Sequence, residues 1–244
     1  MQPDSNISFF NSVPAAKICC LVLLAFMPLI SWGQTTYTWI GVDNGAWTNR
    51  FNWSPTRTTP AATDILQFNS GETLTITAVP SQTIRGLIVT NNSNITLAST
   101  VSNQNFNINN GTGVDWIVDS GATLTISGTS RLRITLAASA SAVIDGDLVL
   151  GTNGNINTAN AGTLVTVNGK ITNTGGSFSS SATAKIVFGP NSEYNHARNG
   201  SSLPLATWNP TSTVRLTGVL NTTVGNANQN FGNFIFQSPA QTVN

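Results

Sequence analysis

Ser120-Gly121-Ala122-Thr123-Leu124-Thr125-Ile126-Ser127-Gly128 is the stretch on which the fold turns. Leu124 and Ile126 alternate with Thr123 and Thr125, so a strand made here shows branched apolar chains on one face and hydroxyls on the other. Glycine punctuates both ends. The phrase returns as Asn69-Ser-Gly-Glu-Thr-Leu-Thr-Ile-Thr77 and as Ala161-Gly-Thr-Leu-Val-Thr-Val-Asn-Gly169. Between and beyond these lie further short runs of the same character, among them Gly86–Thr90, Asn94–Leu97, Leu132–Leu136, Ala142–Ile144, Leu148–Leu150, Gly169–Asn173 and Lys185–Phe188. No window from Thr35 onward keeps apolar residues at helical spacing between two caps, so no helix is expected. Degenerate self-similarity at a spacing of some tens of residues is the mark of stacked coils. The predicted fold is therefore all-β, a right-handed parallel β-helix. About nine coils of roughly 20–25 residues would make a rod on the order of 45 Å long. The alternative is an antiparallel β-sandwich. Asp145-Gly146 is the pair that comes nearest to the hairpin turn such a sandwich needs.

Composition narrows the class. Charged residues are 8% of the chain, against about 25% in an ordinary soluble domain. Asn, Ser, Thr and Gly carry the solubility instead, and short polar side chains of this kind form ladders and close tight turns in stacked β-structure. Hydrophobic residues make up 40% and mean hydropathy is +0.05, enough for a core and too much for a disordered chain. Net charge is +1, and the ten Lys and Arg residues are scattered singly apart from Arg131-Leu132-Arg133. Nucleic acid, which needs clustered cations, is excluded as a partner.

Residues 1–33 read as a secretory signal peptide. Lys17 precedes the apolar run Ile18–Ile30, and Ser31-Trp32-Gly33 places small residues at a cleavage site. That run is shorter than the roughly 20 apolar residues a spanning helix needs, so no membrane span is expected in the mature chain. Both cysteines, Cys19 and Cys20, fall inside it. The mature region, 34–244, therefore lacks disulfides, thiolate metal sites and a cysteine nucleophile.

Two segments resemble a known group of proteins. The first is Tyr37-Thr-Trp39-Ile-Gly41, with Gly45-Ala-Trp47 and Asn52-Trp53-Ser-Pro55. The second runs from Tyr194-Asn-His196 through Leu203-Pro-Leu-Ala-Thr-Trp208 and Ser212–Gly218 to Gln229-Asn-Phe231-Gly-Asn-Phe234. The W-x-G, G-x-W, N-W signature resembles the opening of bacterial β-helical surface proteins, including autotransporter-like passengers and long proteins exported by the type IX route. The resemblance implies a parallel β-helix and a secreted or cell-surface location on the exterior of the outer membrane; it supplies no catalytic residues, since the matched positions are aromatic, glycine and proline. Type IX cargo normally ends in a sorting domain, so further C-terminal domains beyond Asn244 are expected.

The candidate chemistry is sparse. Trp39, Gly41, Trp47, Asn52 and Trp53 are expected to form an N-terminal aromatic cap that plugs the first coil, although three indoles could also make a sugar-stacking platform. Tyr194 and Trp208, with Phe231, are read as core, and as the candidate glycan contacts if they face outward. Asp145 and Asp147 project the same way and are the weak candidates for Ca²⁺, which needs six or more oxygens; the simpler role is in an Asx turn. His196, the sole histidine, has no nucleophile elbow to serve. A lyase-like β-helix would gather acids one coil apart beside a base, and Asp119, Asp145, Arg131 and Arg133 are the residues so spaced. No cofactor and no catalytic residue is assigned. The function expected is a non-catalytic stalk or adhesin-like display segment, with an extracellular glycan or a host or matrix surface as partner; the alternative is a carbohydrate-binding or polysaccharide-cleaving β-helix.

Overall fold

The alternating runs pair side by side with the runs one coil later, and they do so in parallel. A computed structural model describes residues 34–239, and its main chain folds into a parallel β-solenoid of roughly seven turns. The expected signal peptide, with Cys19 and Cys20, lies outside the described residues.

Three sheets wrap the axis. Sheet I stacks Thr36–Trp39, Ile65–Phe68, Gly86–Val89, Trp116–Val118, Ser141–Ile144, Leu164–Val167, Ile186–Phe188 and Thr207–Trp208 in that order. Sheet II stacks Thr73–Ile76, Asn94–Ser99, Thr123–Gly128, Asp147–Leu150, Lys170–Asn173, Glu193–His196, Thr213–Leu216 and Asn233–Phe236. Sheet III, shorter, holds Gln82–Ile84, Gln104–Ile108, Leu132–Leu136, Gly154–Asn157 and Ser177–Ser179. Among the described residues one pair is antiparallel: Trp53–Ser54 lies along the outer edge of Thr36–Trp39. That pattern excludes the β-sandwich. Two single turns of 3-10 helix, Arg50–Asn52 and Thr183–Lys185, are the described helical elements.

Register fixes the core. In sheet II the inward column runs Leu74, Ile95, Leu124, Leu148, Ile171, Tyr194, Val214 from coil to coil. In sheet I it runs Leu66, Leu87, Trp116, Ala142, Val165, Ile186. Each of these side chains is at most 5% exposed, and full burial of a Leu or Ile contributes about 1.5–3 kcal/mol. Successive rungs stand about 4.8 Å apart, so every inward residue touches its counterparts above and below.

The three outer faces differ in chemistry. Sheet II shows Thr75, Thr96, Thr125, Val149, Thr172, Asn195 and Arg215 in register, while sheet III shows Asn107, Thr135, Asn157 and Ser179. Sheet I shows the half-buried ladder Ile88, Ile117, Val143, Thr166, Val187, β-branched throughout, which shields its own methyls across adjacent strands.

The corners follow local turn chemistry. Between sheets I and II the chain turns in four residues (69–72, 90–93, 119–122, 189–192, 209–212) or in two (145–146, 168–169). In four of the longer turns the third residue is left-handed: Gly71 (φ 73), Asn92 (φ 56), Gly121 (φ 80) and Asn191 (φ 60). Glycine and asparagine are the residues that enter that region at low cost. Four of the five longer turns close with a backbone bond from the fourth residue to the first, as from Ala122 N–H to Asp119 O at 2.9 Å. Ser192 and Ser212, both fully buried, repeat the link through their hydroxyls, each 2.7 Å from the carbonyl three residues back. In the two-residue corners glycine has a different reason: a Cβ on Gly169 would collide with the carbonyl of Gly146 directly beneath it. Between sheets III and I, by contrast, the connection varies from Arg85 alone to residues 109–115.

The expected nine coils are roughly seven because coil length is uneven. Thr36 pairs with Ile65 and Leu87 with Trp116, each 29 residues on, whereas Val187 pairs with Thr207, 20 on. Residues 40–64 are spent on the excursion that returns the antiparallel strand, not on a coil of their own.

Candidate functional site

The N-terminal excursion folds over the end of the core. Trp39, Trp47 and Trp53 are 1–3% exposed. Trp53 meets Trp39 and Trp47 edge-on at 5.0 Å each, and Phe68 and Phe106 close the cluster from the first coils. Edge-to-face contacts of this kind add about 0.5–1.5 kcal/mol to the area they bury. Trp53 Nε1 donates to the Trp47 carbonyl at 3.0 Å, and Asn52 Nδ2 donates to the Ala46 carbonyl at 2.9 Å. A Cβ on Gly41 would stand 2.7 Å from Asn52 and from the Trp39 ring, so the W-x-G spacing is a packing requirement. None of these three indoles presents a face to solvent for a sugar. Outside the rings Arg57, 5% exposed, pairs with Asp64 at 2.8 Å, donates to Gln82 Oε1 at 3.2 Å and lies over Trp53 and Tyr37.

A second buried ion pair holds the long corner between sheets III and I. Arg85 Nη1 meets Asp115 Oδ1 at 2.6 Å, and Arg85 Nη2 donates to the Thr112 carbonyl at 2.5 Å. The same carboxylate accepts from Gly111 N at 3.0 Å and from Ser141 N at 2.7 Å. Neither pair was visible in the sequence, where the basic residues read as isolated, because the partners of the second stand 30 positions apart.

The acids named from sequence do not converge. Asp145 accepts from Asn168 Nδ2 at 2.7 Å, one coil on, and Asp147 lies in register with Lys170 on the outer face of sheet II. No group of three or more His, Cys, Asp or Glu that could hold a metal occurs among the described residues. Asp119 and Asp145 sit at the corner of sheets I and II, while Arg131 and Arg133 stand at the start of sheet III, so the lyase-like set is divided between faces. Glu193 is bridged by Lys170 at 3.2 Å and Arg215 at 3.0 Å. Its partial burial raises the carboxyl and the bonds from Arg215 and Lys170 lower it, with a net lowering.

The second aromatic group interrupts the apolar columns. Asn173, Tyr194 and His196 are 0–1% exposed, and Asn173 Nδ2 donates to the Tyr194 hydroxyl at 3.2 Å. Burial pushes the Tyr194 phenol up to about 12. The His196 Nε2 stands 2.7 Å from the Gly200 carbonyl, its Nδ1 is buried without a partner, and burial holds the imidazole below its ordinary value. Tyr194 is therefore core and meets no ligand at the surface. Trp208 stacks on Phe188 at 4.2 Å, meets Phe231 at 5.3 Å and is 8% exposed. Its Nε1 donates to Gln229 Oε1 at 3.2 Å, at the wall of an open groove of about 390 Å³ shared with Thr183, Thr207, Asn228 and Asn230.

These features define a class, the parallel β-solenoid with an aromatic plug at its N-terminal end and side-chain ladders outside. No family model, no curated protein and no solved structure matches the chain. No helix of the described residues is long and apolar enough to cross a membrane.

Proposed function

We propose that the chain is a non-catalytic spacer, exported and displayed outside the cell as the stalk of an adhesin-like surface protein. The observation that carries the reading is the continuity of the stack. From Thr36 to Phe236 sheets I and II run without a break in register, and the ion pairs Arg85–Asp115, Lys170–Glu193 and Arg215–Glu193 tie neighbouring coils. Such a rod resists extension because each rung is zipped to the next by a full strand of backbone bonds. Secretion follows from residues 1–33 as read in the sequence, and further C-terminal domains would be the cargo held at a distance. An epitope placed after Asn244 and expressed with the full chain in a bacterium with an outer membrane should be reached by antibody on intact cells. An epitope reached only after lysis would sink the display role.

A second reading, a weak glycan-binding face, has one specific observation in its favour. The groove beside Trp208 is walled by amides and hydroxyls, the groups that bond neutral sugars. Glycan-array binding abolished by Asn228→Ala would favour it over the passive stalk, and polysaccharide cleavage lost on Asp145→Ala would overturn the non-catalytic assignment.

A further inference from the structure

Ionised side chains are shared unequally among the three faces of the coil. Acids gather at the corner of sheets I and II, as Glu72, Asp119 and Asp145, and along sheet II, as Asp147 and Glu193. Sheet III lies on the opposite side, and none of its five strands holds an acid. In the connections that enter and leave those strands the one acid is Asp115, buried and paired with Arg85.

Two cations of this face stand without partners. Arg131 and Arg133 are part-exposed and two residues apart, which puts them about 7 Å from each other on the same outward side. Neither guanidinium has an ion pair, a hydrogen bond or a ring contact among the described residues, and Arg131 Nε is buried with no acceptor. The other described cations are engaged: with Asp64, Asp115 or Glu193, with the carbonyls of Ala159 and Gly176, or over the Phe51 ring. A guanidinium is a planar fork of donors with no acceptor of its own, so an unpaired one beside a buried N–H calls for an anion. Around the pair the face is a ladder of amides and hydroxyls. Arg133 lies in register with Asn105 on the coil before and Asn155 on the coil after, and Thr135 with Asn107 and Asn157. The side chains of Asn105, Asn107 and Thr135 also have no hydrogen-bond partner among the described residues.

We infer that the outer face of sheet III binds an anionic polysaccharide laid along the rod, with its carboxylates on Arg131 and Arg133 and its hydroxyls on the flanking amides. A carboxylate matches the two-pronged geometry of arginine. Amides and hydroxyls both donate and accept, as the hydroxyls of a sugar require. Sparse charge selects a polysaccharide over nucleic acid: a duplex carries one phosphate charge about every 1.7 Å and needs a dense run of cations. Single-stranded bases need aromatic platforms, and the rings of this sheet, Phe106 and Phe178, point inward. Five rungs about 4.8 Å apart give a face about 20 Å long, room for several sugar units. Arg198, whose guanidinium donates to the Gly176 carbonyl beside Ser177, extends the positive field two coils further along. This binding does not depend on display of the rod, and it uses none of the residues of the groove beside Trp208.

Calorimetric titration of the full chain with a mannuronate hexasaccharide, and with its carboxyl-reduced neutral form, tests this. The uronate should bind with a Kd between about 10 µM and 1 mM, more weakly as salt is added, and the neutral form at least about tenfold less tightly. Arg133→Gln should weaken the uronate by about tenfold or more, and Arg133→Lys, which keeps the charge and loses the fork, by less. Both variants should melt where the parent does, since the side chain is part-exposed and unpaired. Lys170→Gln, on sheet II, and Asn228→Ala, in the groove, should bind the uronate as the parent does. A uronate that does not bind, a neutral form that binds equally well, affinity that survives Arg133→Gln, or affinity lost in Lys170→Gln or Asn228→Ala would each overturn the inference.

Discussion

Removing Asp115 should cost far more than removing the pair to which it belongs. In Asp115→Ala the Arg85 guanidinium, whose side chain is 8% exposed, loses its counter-ion, and the amides of Gly111 and Ser141 lose their acceptor. Breaking one side of a buried pair typically costs about 3–5 kcal/mol, most of it the penalty of an uncompensated charge. For a domain of this size each kcal/mol moves the melting temperature by about 2–4 °C, so a drop on the order of 6–20 °C is expected. Replacing both partners, Arg85→Met with Asp115→Ala, removes the charge from either side and should recover about 2 kcal/mol or more. Urea titration followed by tryptophan emission suits the test, because Trp116 is adjacent in sequence, fully buried and stacked between Leu87 and Ala142. A loss below about 1 kcal/mol in the single variant, or a double variant as unstable as the single one, would show that the pair is not what holds the long corner.

Other outcomes follow from the same packing. Trp53→Ala should cost about 3–5 kcal/mol and expose the first coils to hydrogen exchange before the later ones, because the plug lies at that end. Stability should fall as the pH is lowered below about 6.5. His196 is kept neutral by burial, so its contribution is whole above its ordinary value of about 6.5; below that, the unfolded chain takes a proton that the fold refuses. Thermal melts of His196→Gln should lose this slope, which no other histidine can supply. Gly169→Ala should lower the melting temperature by several degrees, since the new methyl meets the backbone carbonyl of Gly146 in a corner with no spare length. Asp145→Ala and Asp147→Ala should each change stability by less than about 0.5 kcal/mol, and calcium should leave the melt of the parent chain unmoved.

Much of the fold was legible because a parallel stack repeats its local chemistry. Leu74 and Ile76, Leu124 and Ile126, and Val165 and Val167 are all inward and at most 5% exposed, as their alternation with hydroxyl residues required. The phase of the repeat was not legible. The first two of those segments lie in sheet II and the third in sheet I, so their likeness reflects what any rung needs, not their place in the coil. Asp145-Gly146, which resembled a hairpin turn, is a two-residue corner between parallel sheets, because corner and hairpin make the same demand for a short residue beside a glycine. The fate of the aromatics also depended on phase. Tyr194 faces the axis and Trp208 is pinned between Phe188 and Phe231, and neither orientation can be read without knowing which strand face points inward. The turn code was present but unread: Gly71, Asn92, Gly121 and Asn191 occupy the same third position, the last three each just before a buried small residue, Ser93, Ala122 and Ser192.

The contrast between the corners gives the rod one smooth seam and one ragged seam. Where sheet I passes into sheet II, the corner takes two forms, two residues or four, and both keep the rungs in register. Where sheet III returns to sheet I, connections as different as Arg85 alone and residues 109–115 already leave the rungs aligned. Foreign peptide grafted along that second seam should ride outside the stack, and natural variation in length should gather there and spare the other edge.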